Sequence, residues 1–157
     1  LVYGYETELA YEYKNSLKFD LNITRQFVLN NEEYVGNTTR KNRVYLDQLP
    51  NTPYLFWNLG AKYKMFQKGK HFSLTPNYHI RYIHEFYLGY PSIAKGSVKN
   101  EIPTQIQHDI GFTAVTKSER ISLSLEVQNL FDKDLFDNFN IQKPGRIFYT
   151  KLRYYFK

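Results

Sequence analysis

Apolar and polar side chains alternate one by one along most of the chain. The alternation comes in stretches of about ten residues broken by turn chemistry, and helical spacing is scarce. The clearest stretch ends at Gln128: Ile121, Leu123, Leu125 and Val127 form one face, and Ser122, Ser124, Glu126 and Gln128 the other. The C-terminal segment repeats it, with Phe148, Thr150, Leu152, Tyr154 and Phe156 opposite Tyr149, Lys151, Arg153 and Tyr155. Between His71 and Leu88 the apolar face is Phe72, Leu74, Pro76, Tyr78, Ile80, Tyr82, Phe86 and Leu88, with His79, Arg81 and Glu85 behind it. Pro76 lacks a ladder donor and predicts a bulge or local break. Weaker copies cover residues 3–13, 17–29, 55–64 and 105–114. The pattern predicts seven antiparallel strands, each with one apolar face.

The connections alternate in length. Short turns are predicted at 14–16, 67–70 and 117–119, and long polar loops at about 31–52, 89–102 and 132–145. Membrane-spanning β-barrels follow this rule, with tight turns on one rim and long loops on the other; soluble sandwiches use strands of about 5–6 residues without it. Aromatic placement agrees. Tyr11, Tyr13, Tyr63, Phe72, Tyr154 and Phe156 fall near the short-turn ends, and Tyr54, Trp57, Phe86 and Tyr90 near the long-loop ends, as two interfacial belts would. Strand propensity accounts for the abundance of Tyr and Phe but not for this distribution.

Composition narrows the class further. Among 157 residues there are 15 Tyr, 12 Phe and no cysteine, which excludes a disulfide scaffold and thiolate metal sites. No apolar run reaches the ~18–20 residues of a membrane-spanning helix, and mean hydropathy is −0.57. A barrel wall reconciles that value with lipid, because every second residue is polar. The net charge of +6 is scattered along the chain rather than gathered into an arm, so no nucleic-acid partner is expected. The chain starts at Leu1 without a signal peptide, as a processed chain or a piece of a longer one would.

No nucleophile, base and orienting group stand at a recognisable spacing, so no enzymatic activity is expected. His79 and His84 have opposite strand parity, and His71 and His79 lie about 26 Å apart along a strand, so neither a metal site nor a resident cofactor is expected.

Three C-terminal pieces go beyond pattern. Leu125-Glu-Val-Gln-Asn-Leu-Phe-Asp-Lys133, Lys143-Pro-Gly-Arg-Ile-Phe-Tyr149 and Leu152-Arg-Tyr-Tyr-Phe156 together resemble the end of TonB-dependent outer-membrane receptors. Gly4-Tyr-Glu6 and Leu49-Pro-Asn-Thr-Pro-Tyr54 are similar to upstream strand-opening pieces of that family; Lys157 departs from it, since its members usually end on the aromatic. The resemblance implies an all-β antiparallel transmembrane barrel of about 22 strands closed around an N-terminal plug. Residues 1–157 would be its C-terminal segment, with the plug and earlier strands outside this chain. It also implies a place in a Gram-negative outer membrane and energy-coupled import of a scarce nutrient. Ferric siderophore is the default nutrient, with haem, cobalamin or glycan open. The implied partners are outer-membrane lipid and lipopolysaccharide, the protein's own plug and remaining strands, TonB through the missing N-terminal region, and a small-molecule ligand.

On this reading Glu6, Glu8, Arg81, Glu126 and Arg153 are charges of the barrel lumen that face the plug, Glu6 being the candidate partner of a plug arginine. Any one of them would also serve simply to hydrate a polar interior. Tyr34, Arg40, Arg43, Tyr87, Tyr90 and Lys95 supply aromatic and cationic groups in the outer loops that suit an anionic chelate, and equally an anionic lipopolysaccharide surface. Phe156 is implied as the terminal aromatic read by the assembly machinery. The competing classes are a soluble β-sandwich that binds glycans, an outer-membrane hydrolase barrel, and a small complete barrel of about eight strands.

Overall fold

The structure, a computed structural model, describes residues 1–65, 72–94 and 101–156. In chain order its elements are β1 (Val2–Tyr13), β2 (Leu17–Val28), β3 (Leu55–Tyr63), β4 (Phe72–Ile83), β5 (Phe86–Tyr87), the one-turn helix α1 (Pro91–Ala94), β6 (Glu101–Ile102), β7 (Gln105–Thr116), β8 (Ile121–Gln128) and β9 (Ile147–Tyr154). Seven strands form one sheet in the order β1-β2-β3-β4-β7-β8-β9, every neighbouring pair antiparallel, and β5 pairs with β6 outside it.

Registration carries the sequence alternation across the sheet. One rung reads Leu9, Leu21, Leu59, Ile80 and His108; the next reads Glu8, Asn22, Asn58, Arg81 and Gln107. Successive side chains point to opposite faces, so the first rung lies on an apolar face and the second on a polar one. The hairpin β1–β2 closes with Lys14 and Asn15 at φ 49° and 53° and a 3.0 Å bond from Ser16 N to Tyr13 O. Two consecutive left-handed residues match the right-handed twist of the flanking strands. The β7–β8 turn bonds Glu119 N to Thr116 O at 2.8 Å, and the predicted turn at 67–70 lies outside the described residues.

Burial is inverted relative to a water-soluble domain. Among the described residues the buried apolar side chains are Val44, Phe86, Ile102 and Leu135, none of them in the seven-stranded sheet. On the sheet's apolar face Phe148 and Leu152 are each 71% exposed, and Tyr5, Leu9, Phe19, Phe112 and Leu125 are exposed as well. Among the described residues no second layer covers them, whereas a sandwich hides this face against another sheet.

Two local expectations fail. Phe86 and Leu88 do not extend the apolar face of β4, and Glu85 does not extend its polar face. The strand ends at Ile83, Glu85 N bonds Thr104 Oγ1 at 3.2 Å, and Phe86 turns inward to face Ile102 in the β5–β6 pair. Phe86 and Tyr90 therefore belong to the loop unit, not to an interfacial belt. The local break expected at Pro76 is present on one side only, since its ladder with β7 runs unbroken through Phe112. The gap is on the other side, where pairing with β3 stops at Asn77 and resumes with Met65 N bonded to Leu74 O.

Candidate functional site

The tight turns lie at one edge of the sheet and the long connections at the other. Residues 29–54 and 84–94 fold against each other there: Asn51 N bonds Tyr87 O at 2.8 Å, and Ser92 N bonds Asp47 Oδ2 at 2.9 Å. Phe86 and Val44 are buried in these two segments, as is Ile102 opposite Phe86. The third connection, 129–146, is pinned by its own motif. Asn129 Nδ2 donates to Lys133 O at 2.8 Å and Asn129 Oδ1 accepts from Lys133 N at 3.0 Å. Asp132 Oδ1 accepts from Arg146 N at 2.8 Å, and a Cβ on Gly145 would come within 2.6 Å of that oxygen. The Asn-Leu-Phe-Asp-Lys and Pro-Gly-Arg pieces are thus two halves of one loop closure, and the glycine makes room for the carboxylate.

On the polar face Glu6 accepts from Asn22 Nδ2 at 2.8 Å, Glu8 stands opposite Asn22, and Glu126 accepts from Gln128 Nε2 at 2.7 Å. Arg153 donates to Tyr155 Oη at 3.1 Å. The ion pair found among the described residues is Lys18–Glu12, 2.9 Å, near the short-turn edge. Arg81 shares this face with them but stands near the long-loop edge, where it borders two openings. One is a recess of about 490 Å³ lined by Gln26, Asn51, Phe56, Asn58 and Asn138 as well as Arg81. The other is a gap of about 10 Å³ between Arg81, Gln105, Gln107, Leu135 and Lys143. Gln26, Asn51, Asn58, Gln105 and Lys143 escaped the sequence reading; the available signal was the polar parity of Asn58 and Gln107 around Arg81.

The loop candidates are dispersed. Tyr34, Arg40 and Arg43 are exposed on the 29–54 connection, with Tyr34 bridged to Lys41; Tyr87 and Tyr90 are half-buried on the next one; Lys95 lies outside the described residues. The Tyr87 phenol is pushed above its usual value, first by burial and then by the carboxylates of Glu101 and Glu85. Those acids make the surroundings of Tyr87 unwelcoming to an anion.

The apolar face carries an aromatic row at the same edge. Tyr3 stacks on Phe27 (5.0 Å), Phe27 on Tyr54 (6.4 Å), Tyr54 meets His84 edge-on (4.8 Å), and Trp57 stacks on Tyr82 (5.3 Å). Arg25 occupies the apolar face between Tyr5 and Leu55, its guanidinium 5.3 Å from the Phe27 ring centre. At the opposite edge Tyr154 and the 90% exposed Phe156 meet edge-on at 4.6 Å.

No family model matches the chain, and no curated protein matches it. Solved structures do. The chain aligns over 99% of its length with the copper transporter OprC (TM-score 0.68, 19% identity). Over 98% of its length it aligns with the ferric enterobactin receptor PfeA of Pseudomonas aeruginosa, in two mutant forms (TM-score 0.67, 21% identity). The fold is that of part of the β-barrel wall of these TonB-dependent receptors. The chain spans 24% and 22% of the length of those two proteins, about a quarter of each. In membrane-spanning β-barrels a polar face lines the lumen and an apolar face meets lipid.

Proposed function

We infer that this chain forms the last seven strands of a TonB-dependent importer in the outer membrane of a Gram-negative cell. The carrying observation is the inverted burial: Leu152 and Phe148 stand 71% exposed on the sheet while the buried apolar side chains lie in the long loops. Lipid satisfies such a face, and a closed barrel satisfies the free edges of β1 and β9. A preceding segment supplies the remaining strands and the plug. The full protein takes up a scarce nutrient from outside and passes it to the periplasm when TonB acts on the plug, with a ferric siderophore as the leading substrate. OprC and PfeA, a copper transporter and a ferric enterobactin receptor, support a metal or metal-chelate cargo in general and select neither.

Glu6, Glu8, Glu126 and Arg153 contact the plug in this reading; Tyr34, Arg40 and Arg43 meet ligand or lipopolysaccharide, and Phe156 marks the barrel for assembly. The chain itself performs no bond chemistry. The test is uptake of a panel of labelled ferric chelates by cells expressing the full-length protein, with and without TonB. Import of at least one chelate that vanishes without TonB is expected; TonB-independent import, or none, would contradict the reading.

A further inference from the structure

Resting on the importer reading, we propose that Arg81, Gln105 and Lys143 form an oxyanion site on the lumen wall, under the 129–146 loop, that takes a carboxylate or phosphate group. Gln105 is the anchor. It is 6% exposed, its Oε1 accepts from Phe136 N at 2.6 Å, and its Nε2 has no hydrogen-bond partner. Because the Phe136 amide fixes which end of the side chain is the acceptor, the buried orphan is a donor. An unmade buried hydrogen bond costs about 1–3 kcal/mol, so a site that holds one is built for an acceptor that arrives from elsewhere.

That acceptor meets two cations. Arg81 and Lys143 line the same gap as Gln105, and neither has an ion-pair partner among the described residues. The acid two rungs away, Asp109, makes no ion pair with either among the described residues; its oxygens accept from Gln107 Nε2 at 2.9 Å and from Asn129 N at 2.8 Å. The gap of about 10 Å³ holds one oxygen-sized group. The recess of about 490 Å³ that shares Arg81 holds the body behind it. There Asn51 Oδ1, a second unpartnered buried atom, faces a ligand hydroxyl or amide. Two cationic side chains and a side chain with a free amide donor lining one gap favour an oxyanion over a neutral or cationic group.

The oxyanion comes either from the imported ligand or from a plug carboxylate, and the test separates the two. Full-length protein in detergent is titrated calorimetrically with citrate and with inorganic phosphate, for wild type and for Arg81→Gln, Arg81→Lys, Lys143→Gln and Gln105→Glu. Gln105→Glu keeps the acceptor for Phe136 N and reverses the polarity of the other end. Heat-modifiable migration on gels confirms that each variant is folded. For a ligand group, Arg81→Gln and Gln105→Glu weaken binding by about tenfold, Lys143→Gln by less, and Arg81→Lys recovers part of the loss. For a plug group, wild type binds neither probe, and Arg81→Gln raises hydrogen exchange in one plug segment. Equal binding by all variants, or no binding with unchanged plug exchange, overturns the site. Either failure leaves TonB-dependent uptake standing or falling on its own assay.

Discussion

Gly4 on β1 lies so close to Arg25 on β2 that a Cβ there would overlap the Arg25 carbonyl oxygen and come within 2.8 Å of Gln26 Cα. The obstacle is backbone, so it cannot swing away. Gly4→Ala is expected to push the strands apart and cost about 1–3 kcal/mol, read as a lower urea midpoint for the full-length protein. At Gly60→Ala the nearest obstacle is the exposed Asp20 carboxylate, and its smaller loss is expected to disappear in the Asp20→Ala, Gly60→Ala double variant. Equal stability of Gly4→Ala and wild type would contradict this packing.

The apolar face contains two tyrosine–histidine hydrogen bonds, Tyr82 to His84 near the loop edge and Tyr78 to His108 further along. Tyr78 Oη and His108 Nδ1 are 2.6 Å apart, and the Phe131 ring meets His108 edge-on at 4.9 Å. His108→Leu strands the Tyr78 hydroxyl and is expected to destabilise by about 1–3 kcal/mol, while adding Tyr78→Phe recovers most of it. A double-mutant cycle with no coupling would show the bond to be idle.

The raised Tyr87 titration sets an alkaline limit on the loop unit. A pKa raised above 10 means the folded state holds its proton more tightly. The resulting stabilisation is complete below pH 10 and is lost as pH rises through the folded value. Absorbance titration at alkaline pH should show one late phenol that Tyr87→Phe removes, and Glu101→Gln should bring it earlier. A phenol that titrates with the bulk of the tyrosines would contradict the placement between Glu101 and Glu85.

Depth governs what a charge costs on the apolar face. Arg25, one residue pair from the Tyr3–Phe27 stack, reaches back to the Phe27 ring, whereas Leu21 lies in the middle of its strand. Leu21→Arg is expected to destabilise by about 2–4 kcal/mol and Arg25→Leu by about 1 kcal/mol or less. Equal effects in a reversible folding assay into lipid vesicles would mean the face does not cross a bilayer.

The seven strands were legible because parity is a local property: Ile121, Leu123 and Leu125 announce a face whatever lies beside them. The end of β4 was not. Phe86 and Leu88 keep the parity of Tyr82, and only the distant partner Ile102 reveals that the chain has left the sheet. The shared polar face of Glu6, Arg81, Glu126 and Arg153 follows from the same arithmetic. The surroundings of Gln105 do not, since Phe136 and Lys143 are brought there by a loop 31 and 38 residues away whose closure depends on Asp132 and Gly145.

The central claim is that alternate residues of this sheet face lipid and water. The most direct measurement places single cysteines, then nitroxides, at positions 122–127 of β8 in the full-length protein in bilayers; this chain adds no competing cysteine. Leu123, Leu125 and Val127 should collide with oxygen dissolved in lipid, and Ser122, Ser124 and Glu126 with a water-soluble nickel chelate, in strict alternation. Uniform access to the nickel chelate, or the opposite phase, would contradict the account.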